Sequence, residues 1–132
     1  MSKTVLIIED DPDIAECLRL ALERAQLTVR VALTGEEGLS ASLNKDDPPA
    51  AILLDLLLPG MSGIEICRRL RSAEPTKGTP IIMVSAKTAE TDIEAGVAVG
   101  ANCYITKPFS IRDVVERVHA VVLEGKEQKA KS

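Results

Sequence analysis

The sequence has no tryptophan, one tyrosine, one phenylalanine and one histidine, so its apolar content lies in aliphatic runs. Its three cysteines, Cys17, Cys67 and Cys103, are odd in number, far apart and in no C-x-x-C pair. That excludes a disulfide framework or a cysteine zinc site, and the thiols are expected to be reduced, buried small hydrophobes. No run of Lys or Arg is long enough to track a phosphate backbone, and sixteen basic residues against twenty acidic ones leave a formal net charge of −4. Direct nucleic-acid binding is therefore not expected. The N-terminal MSKTVLIIEDD turns acidic too early for a signal peptide, and no apolar stretch is long enough to span a bilayer. A cytoplasmic protein without membrane insertion is expected. Repeats and low-complexity segments are also lacking.

What is present, in 132 residues, is enough chain for one core. Short aliphatic runs alternate with segments of helical period, the pattern of an α/β protein with a parallel sheet. Strands are predicted at Thr4–Glu9, Leu27–Leu33, Ala50–Asp55, Pro80–Ser85 and Cys103–Thr106. TVLIIE, AAILLD and PIIMVS are almost continuously apolar, as expected of central strands covered on both faces, whereas LTVRVAL alternates and suits an edge. Asp11 caps a helix with Pro12 in its first turn, and Ser110 with Asp113 three residues on marks the start of another. The other helices are expected over Gly35–Asn44, Gly63–Ala73 and Thr88–Val99. One domain is expected over residues 1–124, followed by a polar tail or linker stub over 125–132 without an apolar face and therefore frayed. Five βα units in this length fit an open doubly wound sheet, since a closed (β/α)₈ barrel needs about 200 residues or more.

Ligands of open α/β sheets bind beyond the carboxyl ends of the strands. Here the first strand ends in Glu9-Asp10-Asp11, the third at Asp55 and the fourth at Ser85, while the fifth is followed by Lys107-Pro108. Carboxylates crowded at one edge repel one another unless a cation offsets the repulsion. With no His or Cys at these ends, a hard, oxygen-seeking ion such as Mg²⁺ fits better than zinc. Mg²⁺ commonly shares its coordination with a phosphate, which points to phosphoryl chemistry. Asp55 can then act as a nucleophile that forms an acyl phosphate, with Lys107 supplying a positive charge and Ser85 a hydrogen bond to the transferred oxygens.

Taken singly, these residues have plainer readings. Asp10 and Asp11 sit where acids cap helices, and for Asp11 capping is the better account. Asp55, Ser85 and Lys107 draw their significance from one another. Tyr104 can serve as packing beside Phe109. His119 reads as a surface or boundary residue, and Arg68, Arg69 and Arg71 as the solvated outer face of a helix.

In order and spacing, IIEDD, LLDLLLPGMSG, MVSA and YITKPF resemble the acidic pair, phosphoacceptor segment, switch hydroxyl and Lys-Pro signature of bacterial response-regulator receiver domains. The resemblance runs from the first strand to the last helix. It implies a flavodoxin-like sheet of order 2-1-3-4-5 with five helices. It also implies metal binding by Glu9, Asp10, Asp55 and the backbone carbonyl of Leu57, and phosphorylation of Asp55. Ser85 and Tyr104 are implied as switch residues, Lys107 as the lysine of the phosphate site, and the Lys107–Pro108 bond as commonly cis. Pro59-Gly60-Met61-Ser62-Gly63 matches the turn after the phosphoacceptor, with Ser62 where many relatives carry an acid. The implied partners are a histidine kinase or phosphotransfer protein and a downstream protein, met through the face of the fourth helix, fifth strand and fifth helix, with the chain a monomer or a phosphorylation-dependent dimer.

Competing functions fit less well. An aspartate-nucleophile phosphatase wants a second acid two residues after the nucleophile, where this chain has Leu57. A flavodoxin-like nucleotide carrier wants phosphate-binding backbone donors after the first strand, where Glu-Asp-Asp would repel a phosphate. A receiver that works without phosphate would lack the acid pair, Asp55 or Lys107. The reading is a signalling switch that catalyses only its own modification, not an enzyme, with Leu57 and Lys87 flanking the phosphoryl group and Leu57 slowing its hydrolysis.

Overall fold

The computed structural model describes residues 4–44, 46–56, 58–85 and 99–131, with only the backbone course given for 123–131. Five strands, β1 (Thr4–Ile8), β2 (Thr28–Ala32), β3 (Ala51–Asp55), β4 (Ile81–Ser85) and β5 (Cys103–Thr106), form one parallel sheet in the order β2-β1-β3-β4-β5. The described helices are α1 (Pro12–Arg24), α2 (Gly35–Ser42), α3 (Gly63–Ser72) and α4 (Ile111–Lys131). The helix expected over 88–99 falls largely outside the described residues. No described helix is long and apolar enough to cross a membrane.

Every residue of β1, β3 and β4 is buried. Successive side chains of a strand point to opposite faces, so a continuous apolar run needs a core on each side. One core joins Val5, Ile7, Leu53 and Val84 to Leu18 and Leu22 of α1 and Val114 and Val118 of α4. The other joins Leu6, Ile8, Leu54 and Met83 to Ile66 and Leu70 of α3 and Leu39 of α2. β2 is an edge strand, largely exposed except at Ala32, as its alternation predicts.

Local chemistry starts the helices where the sequence indicates. Asp11 accepts from Asp13 N and Ile14 N at 2.9 and 3.3 Å, and Ser110 Oγ accepts from Asp113 N at 3.0 Å. Ser62 caps α3, accepting from Glu65 N at 3.2 Å, so the residue that departs from the resembled pattern has a structural task of its own.

Three expectations are corrected. α4 stays helical to Lys131, through the segment expected to fray. The Glu, Lys, Gln and Ala residues of this segment are good helix formers, and local propensity favours the helix there. Cys17 is exposed on α1 and Cys103 half-buried, leaving Cys67 as the one fully buried thiol of the three. Arg68 and Arg69 do lie on a solvated face, both paired with Glu65, but Arg71 turns inward onto backbone carbonyls.

The start of α3 is pressed against the end of β3. Gly63 N donates to Leu56 O at 2.8 Å, and a Cβ on Gly63 would lie 2.7 Å from both Asp55 O and Leu56 Cα. Backbone atoms on both sides cannot yield as a flexible side chain would. Gly63→Ala is expected to destabilise the fold by about 1–3 kcal/mol, measured as a lower urea midpoint. An unchanged midpoint would show that the β3–α3 junction has slack.

Candidate functional site

The parallel sheet delivers its acids to one edge. Glu9 lies one residue beyond β1, Asp55 ends β3, and these strands are hydrogen-bonded neighbours in the register Ile8↔Leu54. One carboxylate oxygen each from Glu9, Asp10 and Asp55 fall within 4.8 Å of one another. Asp10 is exposed, whereas Glu9 and Asp55 are each only 4% exposed. Lys107, one residue beyond β5, donates from Nζ to Asp55 Oδ2 at 3.2 Å and lies 3.8 Å from Glu9 Oε1. The sheet thus brings together four of the residues singled out from sequence.

Electrostatics follow from burial. Desolvation pushes the Glu9 carboxyl up from 4.5 to about 7; the hydrogen bond from Asp11 N, at 3.0 Å, opposes the shift and the Asp55 charge reinforces it. Burial alone would lower the Lys107 ammonium, but Asp55 and then Glu9 outweigh it, and its pKa is raised. One ammonium therefore serves two buried carboxylates with a third beside them. Three carboxylate oxygens and no nitrogen or sulfur ligand make a donor set for a hard divalent cation.

Two further expected residues, Ser85 and Tyr104, lie on the neighbouring strands β4 and β5. Ser85 is fully buried at the end of β4, and its carbonyl accepts from Lys107 N at 2.6 Å. Tyr104 pairs in register with Met83, two residues before Ser85, and its hydroxyl is buried with no hydrogen-bond partner among the described residues. The Lys107–Pro108 bond is cis. Leu57 and Lys87 lie outside the described residues.

Sequence reasoning missed the underside of the site. A cavity of about 10 Å³, the size of one water, lies beneath Glu9 and Asp55 and is lined by Leu18, Val84 and Phe109 among others. Phe109 packs in the α1–α4 core and Tyr104 in the α2–α3 core, on opposite faces of the sheet, so the expected packing of one beside the other is not found. A short aromatic pair in sequence carries no sign of which face each will take once a strand ends between them.

The raised Glu9 pKa fixes a pH dependence. Folded Glu9 keeps its proton to about pH 7, while the unfolded chain releases it near 4.5, so stability of the metal-free protein falls as pH climbs through that window and then levels off. Glu9→Gln, which cannot ionise, is expected to match wild type at the acid end and to exceed it by about 1–3 kcal/mol above neutrality. Urea denaturation in chelator across this range checks it; a stability difference independent of pH would contradict the assignment.

Comparison with known proteins identifies relatives of this sequence and fold. Residues 5–119 match the response regulator receiver domain family. The phosphate regulon transcriptional regulatory protein PhoB of Pseudomonas aeruginosa is 43% identical over 122 residues, 92% of this chain and 52% of that protein. The DNA-binding response regulator MtrA of Mycolicibacterium smegmatis is 37% identical over 130 residues, 98% of this chain and 55% of that protein. The chain spans about half the length of these curated relatives, so the DNA binding and transcriptional regulation in their names belong to the longer proteins. Among solved structures, a CheY-like receiver domain protein from Methanospirillum hungatei superposes with a TM-score of 0.86 at 29% identity, covering all of both chains. A putative response regulator from Chloroflexus aurantiacus gives 0.84 at 38% identity, covering 93% of this chain and 99% of that one. In sequence and fold, this chain belongs to the response regulator receiver domain family.

Proposed function

We propose that the chain is a phosphorylation-controlled switch in which Asp55 accepts a phosphoryl group from a histidine kinase or phosphotransfer protein. The observation that carries this reading is the Lys107 ammonium 3.2 Å from Asp55 Oδ2, at the rim of a three-carboxylate cluster. Glu9, Asp10 and Asp55, with the Leu57 carbonyl, would hold Mg²⁺, which neutralises phosphoryl oxygens when bound. The all-oxygen donor set and the like charges in want of a cation support that fit.

The chain's own residues do the rest. A carboxylate oxygen of Asp55 attacks phosphorus; the bond to the donor nitrogen breaks and its electron pair leaves with the donor. Asp55 changes from a monoanion into an acyl phosphate, and Lys107 exchanges a carboxylate partner for phosphoryl oxygens. Ser85, buried at the adjacent strand end, is the hydroxyl that engages those oxygens. Tyr104, whose hydroxyl has no partner among the described residues, reports the change to the surface around β5 and α4. This is a two-state element biased by a local change in charge, and a downstream protein reads it. Apolar Leu57 hinders hydrolysis and lengthens the life of the signal.

Incubation with Mg²⁺ and acetyl phosphate is expected to add one phosphate to wild type and none to Asp55→Ala, read by intact mass. Equal labelling of the two would remove Asp55 from the role.

A further inference from the structure

Arg71, in the last turn of α3, uses all five of its N–H donors. Nε donates to Gly100 O at 3.0 Å, Nη2 to Gly100 O at 2.7 Å and Asn102 Oδ1 at 2.6 Å, and Nη1 to Thr79 O at 2.7 Å and Thr76 O at 3.3 Å. None of these acceptors carries a charge, so the arrangement is a clamp on backbone and amide oxygens, not an ion pair. Asn102 passes the clamp on to β4: its Oδ1 also accepts from Ile81 N at 2.9 Å, and its own N donates to Ile81 O at 2.9 Å. Gly100 is shaped for it. Its φ is +102°, and a Cβ there would sit 2.9 Å from Arg71 Nε.

The clamp grips the turn that leads into β5, and β5 needs it. That strand has four residues, pairs with β4 alone and buries only Ile105 fully. It nevertheless carries Tyr104 and leads directly into Lys107, whose ammonium must reach Asp55 on a strand two places away. The register from Ile82↔Cys103 to Ser85↔Thr106 fixes that reach. In parallel pairing, a slip of one residue would turn every β5 side chain to the other face.

We propose that Arg71 is a positioning residue for the acidic site: by fastening the 99–102 turn to α3 and β4, it holds β5 in register and thereby sets Lys107 against Asp55. The clamp stands on geometry alone; its effect on phosphorylation rests on the function proposed above, and the two are tested by separate readouts. Amide hydrogen exchange is compared in wild type and Arg71→Met. The amides of Tyr104 and Lys107, which face β4, are expected to exchange about tenfold faster in the variant, beyond any change at Ile7 and Leu53 in β1 and β3. The initial rate of Asp55 labelling by acetyl phosphate and Mg²⁺ is expected to fall severalfold, with the final extent of labelling unchanged.

Acceleration shared equally by β1, β3 and β5 would mean that Arg71 supports only global stability, and would overturn the proposal. So would a loosened β5 with an undiminished labelling rate, because Lys107 would then be set by something else. Failure of wild type to label would count against the proposed function, while the exchange comparison would still decide the clamp. Should Arg71→Met fail to fold, Arg71→Lys keeps the charge without the five-donor fork and carries the same comparison.

Discussion

Three carboxylates at one edge of the sheet repel one another, and the rest of the site is arranged around that repulsion. With oxygens of Glu9, Asp10 and Asp55 within 4.8 Å, a pair of unit charges would repel by about 3 kcal/mol at an effective dielectric constant near 20. Two of the three are buried, where water screens them least. A fold of marginal stability keeps such a cluster only with compensation at hand. In the protein alone, two forms of compensation are visible: Lys107 between Asp55 and Glu9, and the rise of the Glu9 carboxyl to about 7, which holds a proton where a charge would otherwise sit. A divalent cation would supply a third.

Compensation of this kind depends on placement, which is a property of the sheet. β1 and β3 bring Glu9 and Asp55 side by side because they are parallel neighbours ending at the same level. Gly63 allows α3 to close directly on the end of β3, and Asp11 starts α1 directly after the acid pair while its backbone N–H supports Glu9. Lys107 comes from the sheet's edge, the least constrained position, and the Arg71 clamp fastens the far end of the strand that leads to it. Binding and release of phosphate at Asp55 would alter the charge balance at the point where these elements converge.

Much of this was legible in the sequence, for physical reasons that differ from element to element. TVLIIE, AAILLD and PIIMVS read as central strands because burial on both faces leaves no place for polar alternation, and all three are fully buried as β1, β3 and β4. Asp11 and Ser110 read as caps because capping is local, needing only a side chain and a backbone N–H two or three residues on. Glu9, Asp55 and Lys107 could be gathered into one site because strand ends of a parallel sheet share an edge. What stayed hidden depends on contacts between distant segments. Arg71 resembles its exposed neighbours Arg68 and Arg69 until Gly100 and Asn102 are folded against it. Cys17 sits on the outward side of α1, and Phe109 and Tyr104 part to opposite faces after β5 ends. The helical run to Lys131 follows from propensity, a weaker signal than the missing apolar face that suggested fraying.

In the protein alone, Lys107 stands where a divalent cation held by these acids would act on their charge. Titration of Mg²⁺ into wild type and Lys107→Met, followed by calorimetry at one pH above 7 and one ionic strength, puts that equivalence to the test. Lys107→Met is expected to bind Mg²⁺ more tightly than wild type, since the acids lose their resident cation and repulsion of the incoming one disappears. Equal or weaker binding by the variant would show that Lys107 and the cation do not compete for the same charge.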